Sequence, residues 1–157
     1  MKHRYDRAGD DFTCIHCKNL VSTNPRLSGV NNRNHCPYCL WSRHVDSKEA
    51  GDRRAACKGA MQPVGLTVKR VKNKYGSQQG ELMLIHQCSE CGKVSINRIA
   101  ADDDNDKILE VYRTSFDMPP ETAQSIADSG ITLLGADDED LVLTRLFGYN
   151  HSERGQA

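Results

Sequence analysis

Six of the seven cysteines fall into pairs separated by two residues, Cys14/Cys17, Cys36/Cys39 and Cys88/Cys91, and Cys57 stands alone. An odd count, behind a start (Met1-Lys2-His3-Arg4-Tyr5-Asp6) that lacks an apolar export segment, argues against a disulfide framework and for metal. A redox Cys-x-x-Cys normally sits between a strand and a helix, a setting that neither of the first two pairs resembles. The cysteines therefore divide into a set of four and a set of three that needs one more ligand.

Cys14, Cys17, Cys36 and Cys39 follow the spacing Cys-x2-Cys-x18-Cys-x2-Cys, which lets two tight turns close a tetrahedron of thiolates around one Zn²⁺. The second set depends on a hairpin. Val64, Leu66 and Val68 alternate with Gly65, Thr67 and Lys69, the period of a half-buried strand, and Glu81 to His86 reads as the returning strand. An antiparallel return brings Cys88 and Cys91 beside the segment carrying Cys57, with Gly92 supplying a permissive backbone after the pair. His44, 13 positions before Cys57, is preferred as the fourth ligand, with His86 as the alternative and water as a third choice that would leave an open, catalytic position. Asp46 could orient the His44 ring. The expected cofactor is two zinc ions.

Hydrophobic residues make up 38% of the 157 and aromatics 6%, a thin core for a chain of this length, which fits a fold stapled by metal. No apolar run approaches the ~20 residues that cross a bilayer, so no membrane partner is expected. The net charge of zero conceals two lobes. Residues 1–101 hold 17 Lys/Arg and 8 Asp/Glu, whereas residues 102–157 hold 4 and 13. Seven thiolates and two zinc ions shift the first lobe by roughly −3, and it stays basic. Such a split suggests a polyanion-binding front half with an acidic appendage, or two halves that neutralise each other in the fold.

At Arg33-Asn34-His35-Cys36-Pro37 the chain resembles the bacterial RNHCP-domain proteins, named for those five letters. The likeness continues through Cys39-Leu40-Trp41-Ser42-Arg43-His44-Val45-Asp46, Gly51-Asp52-Arg53, Ala56-Cys57, Cys88-Ser89-Glu90-Cys91-Gly92 and Asn97-Arg98-Ile99-Ala100. It covers roughly residues 10 to 106 and implies a zinc-ribbon fold and metal sites rather than an activity. The family's Ile-Ala-Gly-Asp-Asp string is here Ile99-Ala100-Ala101-Asp102-Asp103, with alanine at the glycine position.

The fold expected is α+β: a small zinc-ribbon-type β domain with two zinc sites over residues 1–101, then a short acidic helical region over 102–157. In that region Asp104 or Asn105 caps a helix with Ile108, Val111, Tyr112 and Phe116 as its apolar stripe. Asp117 and the following prolines start a second helix ending at Ser129-Gly130, and Asp137 to Asp140 open a third that stops at Gly148.

Arg33 and Arg43 beside the metal turns, Lys69, Arg70, Lys72 and Lys74 at the hairpin tip, and Arg98 are the candidate nucleic-acid contacts. Asn34 and His35 read as braces for the turn, Arg98 alternatively as a partner for the aspartates after it, and Tyr38 or Trp41 as a stacking ring or, for Trp41, a core anchor. The reading that follows is a cytoplasmic, zinc-dependent RNA-binding module contacting structured RNA or the ribosome. A protein-interaction adaptor docking through the acidic helices is the alternative. A zinc hydrolase is less favoured, because no His-x-Glu deaminase signature, nucleotide-binding glycine loop or nucleophile elbow is present.

Overall fold

The computed structural model describes residues 11–29, 33, 35–44, 57–69 and 80–148. A two-stranded antiparallel ribbon, β1 (Phe12–Thr13) and β2 (Leu20–Val21), is followed by a one-turn helix α1 (Pro25–Ser28). Next come β3 (Ser42–Arg43), β4 (Ala60–Lys69), β5 (Glu81–Cys88) and β6 (Val94–Arg98), which form one antiparallel sheet in chain order. Three helices close the chain: α2 (Asn105–Thr114), α3 (Pro120–Asp128) and α4 (Glu139–Phe147). This is the α+β class expected.

The hairpin is longer than the alternation indicated and is buried on both sides. Gly65, Leu66 and Thr67 are all buried, as are Leu82 to His86 in β5. Two features interrupt the simple period. The register shifts between Pro63 and Gly65, where proline has no N–H to give to the ladder. Beyond the short β3, the open edge of β4 is met by the segment before α4: Leu134 N donates to Leu66 O (2.9 Å) and Thr67 Oγ1 donates to Thr132 O (2.7 Å). A Cβ at position 65 would lie 2.5 Å from Leu133 Cδ1, so the leucine side chain fills the space that glycine leaves open there.

The helical boundaries follow local chemistry. Asp104 caps α2 by accepting from the N–H groups of Asp106 and Lys107, and Ile108, Val111 and Tyr112 turn inward. Phe116 departs from that stripe. It falls in a single 3-10 turn after α2, is 47% exposed, and meets Tyr112 edge-on. Asp117 lies in the same turn rather than capping α3, whose entry is set by Pro119 and Pro120 without a side-chain cap. Gly130 and Gly148 end α3 and α4 in left-handed conformations.

One core joins sheet and helices. Leu40, Leu66, Leu82 and Leu84 pack with Ile108, Val111, Tyr112, Leu134, Val142 and Leu146. The change from basic to acidic sequence after Ala101 therefore falls inside a continuous packing unit. Across it, Ala101 N donates to Ser28 O and Asp104 N to Pro37 O. Ala101 is not in a left-handed conformation, so alanine is accommodated at the position where the resemblance has glycine. Among the described residues no helix is long and apolar enough to cross a membrane.

Two candidate metal centres and the surface around them

Three of the turns share one backbone pattern. In each, the N–H four residues after the first cysteine returns to that cysteine's carbonyl (Lys18 to Cys14, Leu40 to Cys36, Gly92 to Cys88). The first cysteine's own N–H bonds to the residue five on (Asn19, Trp41 and Lys93). The fourth-residue position is left-handed in all three: Lys18 at φ +68°, Leu40 at +67° and Gly92 at +80°. Only the last is glycine, so two side chains accept strain that the turn imposes. This geometry points backbone N–H groups at sulfur, as in His16 N and Cys17 N to Cys14 Sγ (both 3.4 Å) and Tyr38 N to Cys36 Sγ (3.3 Å).

The first two turns face each other. Cys14 Sγ lies 3.6 Å from Cys39 Sγ, and Cys17 Sγ 3.5 Å from Cys36 Sγ. All four sulfurs fall within 4.8 Å of one another. A tetrahedron with ~2.3 Å zinc–sulfur bonds has edges of about 3.8 Å, so the set matches one zinc ion. Burial pushes the Cys36 thiol up to about 11 and Cys39 higher still. For Cys17, burial also pushes upward, but the backbone and amide donors of Asn19 outweigh it and bring the thiol to about 7. Four sulfurs crowded together in a poorly solvated site ionise together only beside a cation, which is what a divalent metal supplies.

The second set assembles from four places. β5 ends at Cys88 opposite Met61, so Cys57, just before β4, arrives alongside. Reciprocal bonds from His44 N to Gly59 O and from Lys58 N to His44 O hold His44 against the same stretch. Cys57 Sγ is 3.5 Å from Cys88 Sγ, and Cys91 Sγ is 3.3 Å from His44 Nδ1. His44, Cys57, Cys88 and Cys91 thus form a Cys₃His set that fits a second zinc ion with four protein ligands. Backbone donors from Cys91 and Glu90 oppose the burial of Cys88 and leave its thiol lowered. The two sets differ in exposure: Cys14, Cys36 and Cys39 are buried, whereas Cys57 and Cys91 lie at the surface.

His86, the alternative ligand, is excluded. It is fully buried, its Nε2 donates to Leu40 O (2.6 Å), and its Nδ1 lies 2.9 Å from Asn97 Nδ2. Burial and the neighbouring His35 lower its pKa to about 3, so the ring is a neutral strut between β5, β6 and the second turn. Asp46, proposed to orient His44, lies outside the described residues.

Arg33 is a correction of a different kind. Read as a phosphate contact, it is 2% exposed, and Asp102 and Asp103 hold its guanidinium from 2.8 to 3.0 Å. Its Nε donates to His35 O, and His35 Nε2 meets Asp103 Oδ2 at 2.7 Å. Asp103 also accepts from Ala100 N. A buried guanidinium needs a carboxylate, and the aspartates after β6 provide two. His35 is a brace, as expected, though through Asp103 rather than through sulfur. Nothing local in the sequence couples positions 68 and 70 residues apart, so these partners went unseen.

The remaining basic candidates divide. Arg43 is half-buried and its Nε donates to Lys58 O, bracing the second centre. Arg98 is exposed but pairs with Glu81 (2.7 Å) rather than with the aspartates that follow it. Lys69 is exposed at the end of β4, while Arg70, Lys72 and Lys74 lie outside the described residues. Asn34 also lies outside them. Trp41 is half-buried and packs on the first centre as a core anchor. One face of its ring is taken by His16, a residue the sequence reading passed over, in a parallel stack at 4.2 Å.

No curated protein and no solved structure matches the chain. The RNHCP domain, by contrast, matches residues 9–109, a span that holds all eight metal-binding side chains, the Arg33-to-Asp103 lock and every strand of the sheet. The chain belongs to the RNHCP domain family.

Proposed function

We propose that this chain is a zinc-stabilised nucleic-acid-binding module that contacts structured RNA or the ribosome through its metal-bearing half. The observation that carries the reading is the charge of that half: 17 Lys/Arg against 8 Asp/Glu up to Ala101, on a framework fixed by two metal centres. Burying Arg33 against Asp102 and Asp103 removes one cation from the surface, yet Lys18, Arg26, Lys69, Lys93 and Arg98 stay exposed. Phosphate contacts made by such residues release counterions, which makes binding steeply salt-dependent. Four protein ligands at each centre favour a structural over a catalytic role for zinc. The apolar stripes of α2 and α4 are used inside the core, which counts against their serving as an adaptor's docking face. Cysteine ligands need a reducing compartment, so the cytoplasm is the expected location.

The test is co-sedimentation of the tagged, zinc-loaded chain with ribosomes and RNA from a cell lysate, with and without nuclease, over a series of salt concentrations. The reading expects nuclease-sensitive association that weakens as salt rises. Free chain in every fraction, or association indifferent to both nuclease and salt, defeats it.

A further inference from the structure

The first metal centre carries a stack of rings that its coordination chemistry does not need. His16 sits between the two cysteines of the first turn, and Trp41 follows the second turn by two positions. Their rings lie 3° from parallel with centroids 4.2 Å apart. Trp41 packs against the buried cluster of Cys14, Val21, Cys36 and Cys39, while His16 is exposed. The order is therefore core, indole, imidazole, solvent. On the neighbouring turn, between Cys36 and Cys39, Tyr38 is 57% exposed, an unusual place for a large ring with nothing to bury. Lys18 ends the first turn, its Nζ held at Ile15 O (2.9 Å), and puts a positive charge on the same loop.

We infer that His16, backed by Trp41, together with Tyr38 forms a stacking surface for unpaired bases of single-stranded RNA. The inference rests on the nucleic-acid reading above and specifies which part of the metal-bearing half meets the ligand. Three physical points support it. Every base offers a flat face, and an aromatic or imidazole ring is the side-chain counterpart that accepts any of them. A stacking ring is most effective when its position is already fixed, and both turns are held by the zinc ligands and by N–H···S bonds, so little conformational freedom is lost on binding. A base added over His16 lengthens an existing column instead of requiring a new pocket. Bases already paired and stacked in a duplex cannot enter such a column, so the surface selects loops, bulges and single strands.

Trp41 is the chain's one tryptophan, so its emission reports on this site alone. The experiment titrates the zinc-loaded full chain with labelled single-stranded oligouridine and oligoadenosine RNA of about ten nucleotides, and with a duplex of equal length. Anisotropy and Trp41 emission are read together, with zinc content measured for every variant. Single strands are expected to bind and to change Trp41 emission, and the duplex to leave it unchanged. His16→Ala and Tyr38→Ala each weaken single-strand binding roughly 5- to 30-fold, and His16→Phe restores it. Tyr38→Ala removes a ring with little packing and keeps the test decisive if His16→Ala disturbs its metal turn. Wild-type affinity in both Tyr38→Ala and His16→Ala, with RNA still bound, overturns the stacking surface and leaves the nucleic-acid reading standing. Absence of binding to any RNA, in this titration and to ribosomes alike, overturns both.

Discussion

Arg33 carries five donors in a rigid fork, which suits a phosphate and suits a pair of carboxylates equally well. Here the carboxylates win because the buried Asp103 reaches the guanidinium inside the fold, where water does not compete, and Asp102 caps it from the solvent side. Removing the guanidinium takes the counter-charge from the buried Asp103 carboxylate and leaves it only His35 and the Ala100 N–H as partners. Arg33→Ala is expected to cost about 3–5 kcal/mol, and Arg33→Lys to recover little because an ammonium cannot span both aspartates. Denaturant unfolding of the zinc-saturated chain checks this, and a loss below about 1 kcal/mol would remove the lock from the account. Lys18 gives the opposite sign: it holds a left-handed backbone (φ +68°) at the surface, so Lys18→Gly should stabilise by about 0.5–1 kcal/mol in the same measurement.

His86 makes a pH prediction. Its folded pKa, about 3, lies below the 6.5 of an unfolded imidazole, so between these values the unfolded chain binds the extra proton. The contribution of the neutral ring is complete above pH 6.5 and is lost as pH falls toward 3. Nitrogen chemical shifts of His86 should stay those of a neutral ring at pH 5; a charged ring there would contradict the burial seen.

At the scale of elements, the repeated turn explains why two centres of unlike composition use one backbone solution. Their durability should differ. The first is closed by β1, β2 and the Trp41 ring, whereas Cys57 and Cys91 of the second stand at the surface. A chelator is therefore expected to strip the chain in two phases, and cysteine footprinting should find Cys57 and Cys91 modified in the first. Simultaneous release would show that the centres are coupled. Gly59 extends the prediction: a Cβ there would lie 3.0 Å from Cys88 Sγ and 2.9 Å from Glu90 Cβ. Gly59→Ala should weaken the second centre while sparing the first, measurable as loss of one zinc equivalent. The element boundaries themselves were largely legible, because caps, glycine stops and hairpin periods act within a few residues. Phe116 was not: the stripe continues in sequence, but the 3-10 turn rotates it outward.

For the whole molecule, the acidic region is part of the core rather than an appendage to it. Ile108, Val111, Tyr112, Leu134, Val142 and Leu146 are six of the ten buried side chains in the core they share with Leu40, Leu66, Leu82 and Leu84. Each such side chain contributes roughly 1.5–3 kcal/mol on burial. A chain ending after Asp106 is expected to lose cooperative unfolding and to aggregate even when zinc-loaded. Size-exclusion chromatography and thermal unfolding decide it, and a monomeric, cooperatively folded product would show that the metal centres suffice.

Spacing along the chain was enough for the two ligand quartets down to the preference for His44, the hairpin that gathers the second of them, and the helical starts and stops. A Cys-x-x-Cys turn or a helix cap carries its geometry wherever it is placed. The tertiary structure decided whether a polar side chain meets solvent or another part of the chain. Arg33 turned inward to Asp103, His86 became a strut, and His16 settled on Trp41, because each partner comes from a distant stretch that only the folded sheet and metal turns bring within reach.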